Sequence, residues 1–203
     1  MLRAVGRTFA ALGFYVWTLA GCATDSQPAR LRLKLAPATL GASISLQQHL
    51  MVERDGRIHE LDAALEIDPE RIDLVALAWN QRVLSLHYDG QSLESWRHPA
   101  LPAELDAEGV LEDLQLTLWP VDALRPALPS GWRIEENGAR RILLAGGLPV
   151  TEIDYNGEPR WSGKIVVNNL RYRYRIWRLI RQLASRDLKP PVAEEHDGIT
   201  EAS

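Results

Sequence analysis

The chain has 203 residues, 46% of them hydrophobic and 25% charged, a composition typical of one folded domain with its own core. A formal net charge of −4 provides no cationic field for phosphates, so we expect no nucleic-acid partner. The single cysteine excludes an intramolecular disulfide and a thiolate-rich zinc site.

The N-terminus has the organisation of a lipoprotein signal. Two arginines precede an apolar run at residues 9–20, which is too short to span a ~30 Å hydrocarbon core. The run ends in Leu19-Ala20-Gly21-Cys22, which resembles the bacterial lipobox. We predict a signal peptide at 1–21 and attachment of palmitate-type acyl chains to Cys22. The alternative is an ordinary secretory signal with an incidental cysteine.

The resemblance to bacterial lipoproteins also implies a location. An aspartate directly after the acylated cysteine usually marks retention in the inner membrane, and this chain has Ala23 there. We therefore expect a lipid-anchored protein on the periplasmic face of the cell outer membrane. Its first partners would be outer-membrane lipids, reached through the acylated Cys22.

The mature chain divides into three parts by composition. Residues 22–42 are small and polar, with two prolines, and are interpreted as a tether. Residues 43–184 carry the patterned sequence of the folded domain, which we expect to be monomeric. Residues 185–203 are acidic, contain Pro190-Pro191 and are predicted to be disordered.

The first half of the domain alternates with period two, which predicts an antiparallel meander of about five strands. Turn signals at Asp55-Gly56, Asn80-Gln81 and Asp89-Gly90 separate the strands. The predicted strands are 46–52, 58–67, 71–79, 83–88 and 92–96.

A helical segment then interrupts the strand pattern. From Glu104 to Trp119 the leucines fall at helical spacing, and acidic residues concentrate near the predicted N-terminus, where the helix dipole favours them. Pro120 ends this helix, and 121–125 forms a second short helical piece. We interpret the two pieces as a lid with a hinge at Pro120.

Strand patterning resumes after residue 131 and continues to the end of the domain. Five more strands are predicted at 132–136, 139–145, 150–155, 161–168 and 170–176, while 177–184 fits either a strand or a helical turn. The fold class is therefore α+β, mainly antiparallel β: a strongly curved sheet or open half-barrel of about ten strands with a short helical lid.

Catalytic and metal-binding motifs are missing from the sequence. It contains no nucleophile elbow, phosphate loop, dinucleotide fingerprint or zinc-protease motif, and the five histidines lie in different predicted elements. We expect a non-enzymatic protein without a cofactor or metal. A thioesterase would need a nucleophile–base pair that the sequence does not identify.

Large apolar side chains are the remaining candidates for function. They either fill the core or line a cavity for a hydrophobic ligand. Trp79 is singled out because it lies beside a predicted tight turn, where an exposed apolar tip is costly. The ligand-binding or membrane-contact candidates are Trp79, Trp96, Leu111, Leu114, Trp119 and Trp132.

Alternating arginines mark the last predicted strand. Arg171, Arg173 and Arg175 are interpreted as one solvated strand face. The alternative interpretation is a contact with anionic lipid headgroups, each cation contributing about 1 kcal/mol near a membrane surface.

The order of these features resembles the outer-membrane lipoprotein receptor LolB and its periplasmic carrier relatives. The most local similarity is Pro120-Val121-Asp122-Ala123-Leu124-Arg125 followed by Leu128-Pro129, which is similar to the end of the LolB helical segment. The mature chain also resembles an uncharacterised family of proteobacterial outer-membrane lipoproteins, often encoded with aryl-polyene biosynthesis genes. In LolB an apolar residue on a loop between two early strands helps cargo reach the membrane, and the matching place here is the turn at Trp79.

The resemblance implies a LolA/LolB-like fold and a function in moving hydrophobic cargo. We expect an outer-membrane lipoprotein that binds or accepts an acyl, lipid or polyene ligand, or a lipoprotein delivered by a periplasmic carrier protein, without catalysis. The alternative is a membrane-tethered structural module that docks an envelope or biosynthetic complex.

Overall fold

The computed structural model describes residues 31–101 and 105–182. Among them are ten strands that form one open sheet, in which every neighbouring pair is antiparallel. The predicted signal peptide, Cys22 and the predicted acidic tail lie outside the described residues.

The sheet consists of two five-strand meanders. The first contains β1 (Ile44–Arg54), β2 (Arg57–Ile67), β3 (Ile72–Ala78), β4 (Gln81–Tyr88) and β5 (Leu93–Arg97). The second contains β6 (Trp132–Asn137), β7 (Arg140–Ala145), β8 (Leu148–Asn156), β9 (Gly163–Asn169) and β10 (Tyr174–Gln182). This confirms the prediction of about ten strands in a mainly antiparallel sheet.

The two meanders are joined through the first and last strands. The strand order is β5-β4-β3-β2-β1-β10-β9-β8-β7-β6, and β1 pairs with β10 from Leu46↔Gln182 to Arg54↔Tyr174. Residues 177–182, for which the sequence left strand and helix open, belong to β10. The sheet therefore depends on pairing between residues about 130 positions apart.

One long helix occupies the interior of this sheet. It is α1 (Ala107–Leu118), and the side chain of its N-cap residue Asp106 accepts a hydrogen bond from the Gly109 amide at 2.7 Å. Every residue from Leu111 to Trp119 is buried. A helix buried on all sides must be enclosed by other elements, so the sheet curves around α1.

The sheet holds α1 by hydrogen bonds to its backbone carbonyls as well as by apolar packing. Tyr155 Oη donates to the Thr117 carbonyl oxygen at 2.7 Å, and Arg141 donates to the Leu116 carbonyl oxygen. The prediction of a lid over an open interior is therefore wrong for α1, which belongs to the core. Pro120 ends α1 as predicted and precedes α2 (Val121–Leu124).

The segment before β1 also packs on α1. Leu31, Leu33 and Leu40 are buried, and the last lies in a short 3-10 helix at Pro37–Leu40. The Gln115 side chain accepts from the Leu35 amide at 3.1 Å and donates to the Leu35 carbonyl at 2.9 Å. Residues 31–40 were predicted to belong to the tether, but buried leucines and these bonds make them part of the core.

The chain enters the described fold at one particular end of the sheet. The backbone amide of Arg32 donates to Glu112 Oε2 at 3.0 Å, and Lys34 Nζ lies 3.7 Å from Glu108 Oε1, in the first turn of α1. This end, which we call the Leu31 end, also carries the β1–β2, β3–β4, β7–β8 and β9–β10 turns. The other four hairpin turns lie at the opposite end.

Candidate functional site

A pocket of about 390 Å³ opens at the Leu31 end, between the first turns of α1 and the sheet. The β1–β2 hairpin forms one wall, and the beginning of β10 forms another. The described residues lining it are Val52, Arg54, Asp55, Arg57, His59, Leu105, Asp106, Gly109, Val110, Glu112, Asp113, Asn169, Tyr172 and Tyr174. Its volume is in the range of small-molecule sites.

A buried carboxyl group forms part of the pocket wall. The Tyr174 hydroxyl donates to the Asp113 carboxylate and accepts from Asn169 Nδ2 at 3.0 Å. Burial raises the pKa of Asp113 to about 6, although the bond from Tyr174 and the nearby Arg178 guanidinium oppose the shift. Burial also raises the pKa of Tyr174 and lowers that of Arg178. Asp113 can therefore hold or release a proton near neutral pH.

A buried ion pair lies next to this carboxyl group. Arg171 Nη2 donates to Glu112 Oε1 at 2.7 Å, and the two side chains are only 1% and 4% exposed. The Arg171 guanidinium also lies 4.3 Å from the Tyr172 ring centroid and 5.4 Å from that of Trp132. These contacts fix one side of the pocket to α1.

The position of Arg171 corrects the predicted solvated strand face. Residues 170–173 form a turn, and β10 begins only at Tyr174, so the strand alternation does not extend back to Arg171. Arg173 and Arg175 are exposed as expected, whereas Arg171 is buried. The prediction that the three arginines form one continuous solvated strand face is therefore wrong.

The outer rim of the pocket carries both signs of charge. Arg54 and Arg57 flank the Asp55-Gly56 turn, and the exposed Asp106 carboxylate also lines the pocket. Arg54 Nε lies 3.6 Å from Asp55 Oδ2, a partly exposed pair that contributes little to stability. The pocket therefore combines apolar walls with a polar interior and a charged rim.

The ionisable and nucleophilic side chains of the pocket are carboxylates, two arginines, one histidine and two tyrosines. None of the described residues that line it is serine, threonine, cysteine or lysine. Across residues 31–101 and 105–182, no group of three or more His, Cys, Asp or Glu side chains is placed to hold a metal ion.

Three of the residues singled out from the sequence lie in the core. Leu111, Leu114 and Trp119 are fully buried, and Trp119 Nε1 donates to Thr39 Oγ1 at 2.8 Å. Trp132 is half-buried against Arg171. None of these four side chains lines the pocket. All four belong to the hydrophobic core cluster or pack against it.

The two remaining candidates from the sequence analysis, Trp79 and Trp96, are at the surface. Trp79 is 85% exposed and, with Asn80, forms the β3–β4 turn; both residues have positive φ, 50° and 59°. Two successive positive φ values are typical of a type I′ hairpin turn, a costly conformation for a bulky side chain. Trp96 on the edge strand β5 is 41% exposed, and the Arg82 guanidinium lies 4.7 Å from its ring centroid.

The sequence analysis missed the polar residues of the pocket. Glu112 and Asp113 were interpreted only as part of a helix whose leucines face the core. The sequence carries no signal that separates these two carboxylates from the solvated face of an amphipathic helix. Only the closure of the sheet around α1 shows that both helix faces are buried.

Comparison with protein-family models assigns most of the folded domain to a family. Residues 45–177 match a protein family described as protein of unknown function (DUF3261). No curated protein matches the chain. None of the described helices is long and apolar enough to cross a membrane.

Proposed function

The chain belongs to the uncharacterised DUF3261 family, and we propose that it is an outer-membrane lipoprotein that binds or accepts a hydrophobic ligand without catalysis. The ligand would be an acyl, lipid or polyene chain, or the acyl part of a lipoprotein cargo. The fold would be related to LolA and LolB, and acylated Cys22 would anchor the protein at the periplasmic face of the membrane.

The observation that carries the proposal is the pocket at the Leu31 end. Its volume of about 390 Å³ suits one chain or one compact amphiphile. Val52, Leu105 and Val110 supply apolar wall, and binding would be driven by apolar surface removed from water, at about 25 cal/mol per Å². The Asp113–Tyr174 pair would receive a polar end or bond of the ligand.

The interior occupied by α1 limits where the ligand can go. The Glu112–Arg171 ion pair and the hydrogen bonds from Arg141 and Tyr155 hold α1 against the sheet. Moving α1 would leave these buried partners unsatisfied, at a cost of 1–3 kcal/mol or more for each group. The end pocket is therefore a better site than the space beneath α1, and binding needs no opening of the core.

Trp79 supports the proposed relationship to LolB. It lies at the tip of a hairpin between two early strands, the place where the resemblance implies an apolar residue involved in cargo delivery. The turn contains only Trp79 and Asn80 between β3 and β4, so the apolar group is presented on a short, rigid support. This favours acceptance of a particular ligand over general insertion of lipoproteins.

A docking module remains the second candidate because one observation favours it. The interior is filled by α1, and the outer sheet face exposes Val75 and Leu77 beside a shallow groove. A partner protein that covers this face would use the sheet as a scaffold. In that case the pocket would be empty in cells.

Native mass spectrometry of the chain from residue 23 tests the proposal. This chain keeps every described residue but lacks Cys22, so its mass reports only noncovalent ligands. We expect a co-purifying amphiphile, or uptake of added long-chain fatty acid with one ligand per chain. Val110→Trp, which fills the pocket from the partly buried first turn of α1, should abolish binding.

The matched control is Val75→Trp, which adds the same bulk on the outer sheet face. It should leave ligand binding unchanged. A bare mass for the wild-type chain, with no uptake of fatty acid or phospholipid, would contradict the ligand proposal and favour the docking module.

A further inference from the structure

The hairpin turns at the Leu31 end share an unusual surface. Each of the four hairpins carries one large apolar side chain that is exposed to solvent, either in the turn or at the start of the following strand. Their exposed fractions are 59% for Ile58, 85% for Trp79, 71% for Leu148 and 43% for Leu170. We call these four side chains the apolar tips.

The opposite end of the sheet lacks this feature. Its turns are 68–71, 89–92, 138–139 and 157–162, and their sequences are Asp-Pro-Glu-Arg, Asp-Gly-Gln-Ser, Gly-Ala and Gly-Glu-Pro-Arg-Trp-Ser. Within these described turns no large hydrophobic side chain is exposed, since Trp161 is half-buried against the core. The exposed apolar side chains of the described hairpin turns are therefore concentrated at one end of the sheet.

Charged residues are distributed unevenly between the two ends of the sheet as well. The Leu31-end segments 54–58, 79–82, 146–148 and 170–173 contain one acidic residue, Asp55, although the whole chain has a net charge of −4. Besides the buried Arg171, the arginines of these segments are Arg54, Arg57, Arg82 and Arg173. The four hairpin segments that carry the apolar tips are thus basic, and the carboxylates of Asp106 and Glu108 at the start of α1 lie at the same end.

The apolar tips are costly where they stand. Trp79 combines high exposure with positive φ, and neither burial nor a hydrogen bond repays that cost within the chain described. Apolar and aromatic side chains bracketed by cations are typical of surfaces that enter the boundary between lipid headgroups and acyl chains.

The position of the N-terminus relates this end to the membrane. The described chain begins at Leu31, at the same end as the tips, and Cys22 precedes it by nine residues. A fully extended segment of that length spans roughly 30 Å at about 3.3–3.6 Å per residue. With Cys22 acylated as proposed, a segment of this length would keep the Leu31 end within roughly 30 Å of the bilayer.

We propose that the four turns of the Leu31 end dock onto a membrane surface that contains anionic lipid. The apolar tips enter the headgroup region, and the arginines contact lipid phosphates. A bilayer fits better than a protein partner because the tips stand on four separate hairpins, spread along the ten-strand sheet, at the end to which acylated Cys22 would connect. This docking does not require the pocket to hold a ligand.

The test is binding of the unacylated chain from residue 23 to vesicles. Vesicles of phosphatidylethanolamine with phosphatidylglycerol are compared with vesicles of phosphatidylcholine by co-sedimentation. We expect stronger binding to the anionic vesicles, weakened by salt. The double variant Trp79→Ser/Leu148→Ser should weaken binding by roughly tenfold or more, and Arg57→Gln/Arg173→Gln by about fivefold per arginine.

The control is Leu179→Ser, since Leu179 is 61% exposed in the middle of the outer sheet face and away from the tips. It should bind vesicles as the wild type does. Because all of these side chains are exposed, the variants should keep the wild-type unfolding midpoint, which circular dichroism checks.

Two results would overturn the docking proposal. One is no binding of the wild-type chain to anionic vesicles at low salt. The other is an equal loss of binding in Leu179→Ser and in the tip variant. If tip variants disrupt a complex with a purified envelope protein while vesicle binding is absent, the surface is a protein interface. Ligand uptake by the pocket is measured separately, so either proposal can fail alone.

Discussion

Glu112 provides the sharpest test of how α1 is held inside the sheet. Its carboxylate accepts from Arg171 at 2.7 Å and from the Arg32 amide at 3.0 Å, and its side chain is 4% exposed. Removing one partner of a buried ion pair typically costs about 3–5 kcal/mol. We therefore expect Glu112→Ala to lower the free energy of unfolding by that amount.

The matched control lies one helical turn earlier. Glu108 makes its ion pairs with Arg32 and Lys34 at 3.9 and 3.7 Å, and its side chain is 41% exposed. Exposed pairs contribute about 0–1 kcal/mol, so Glu108→Ala should change stability little. Both variants remove the same side chain from the same helix.

Urea denaturation followed by circular dichroism measures both effects, with thermal midpoints as a second readout. For a domain of this size each kcal/mol shifts the midpoint by about 2–4 °C, so Glu112→Ala should lose on the order of 10 °C. The double variant Glu112→Leu/Arg171→Met should lose less stability than the sum of the losses measured for Glu112→Leu and Arg171→Met separately. If Glu112→Ala is as stable as Glu108→Ala, or if the losses of the two single variants add up to that of the double variant, the buried ion pair does not hold α1.

Three further predictions concern the same core. Because burial raises the pKa of Asp113 to about 6, its proton stabilises the fold below about pH 4, and this contribution should be lost as pH rises from about 4 to 6. Denaturation at several pH values should therefore show the wild type losing stability relative to Asp113→Asn over that range. Gly163→Ala should lower the free energy of unfolding strongly, because the added Cβ would meet the Asn156 carbonyl oxygen. Gly138 also has positive φ but faces open space, so Gly138→Ala should lower the free energy of unfolding by only about 1 kcal/mol. Urea titrations measure both. Trp119→Ala should cost about 3–5 kcal/mol by calorimetry, and a loss near zero would show that Trp119 is not a core residue.

The sequence predicted the strands well because their signal is local. Alternating side chains and turn pairs such as Asp55-Gly56 give both the position and the pairing of neighbouring strands. Pro120 likewise ends α1 for a reason that needs no other part of the chain. Local rules failed by one residue at Trp79, which lies in the turn itself and not at the end of a strand.

The interior of the sheet could not be predicted in the same way. Whether α1 covers an opening or fills it depends on the closure between β1 and β10, a contact between distant parts of the chain. That closure buries Glu112 and Asp113 and pairs the first with Arg171. From the sequence alone, these residues are indistinguishable from the solvated face of an amphipathic helix.

The candidate site shows the same division. The sequence by itself determined that Trp79 lies beside a tight turn and that arginines concentrate near the last strand, since these facts follow from neighbouring residues. Only the tertiary structure placed Trp79, Leu148 and Leu170 at one end of the sheet, together with the pocket and the entry of the chain at Leu31. The physical reason is that strand direction and pairing across the whole sheet decide which turns share an end, and no local pattern encodes that order.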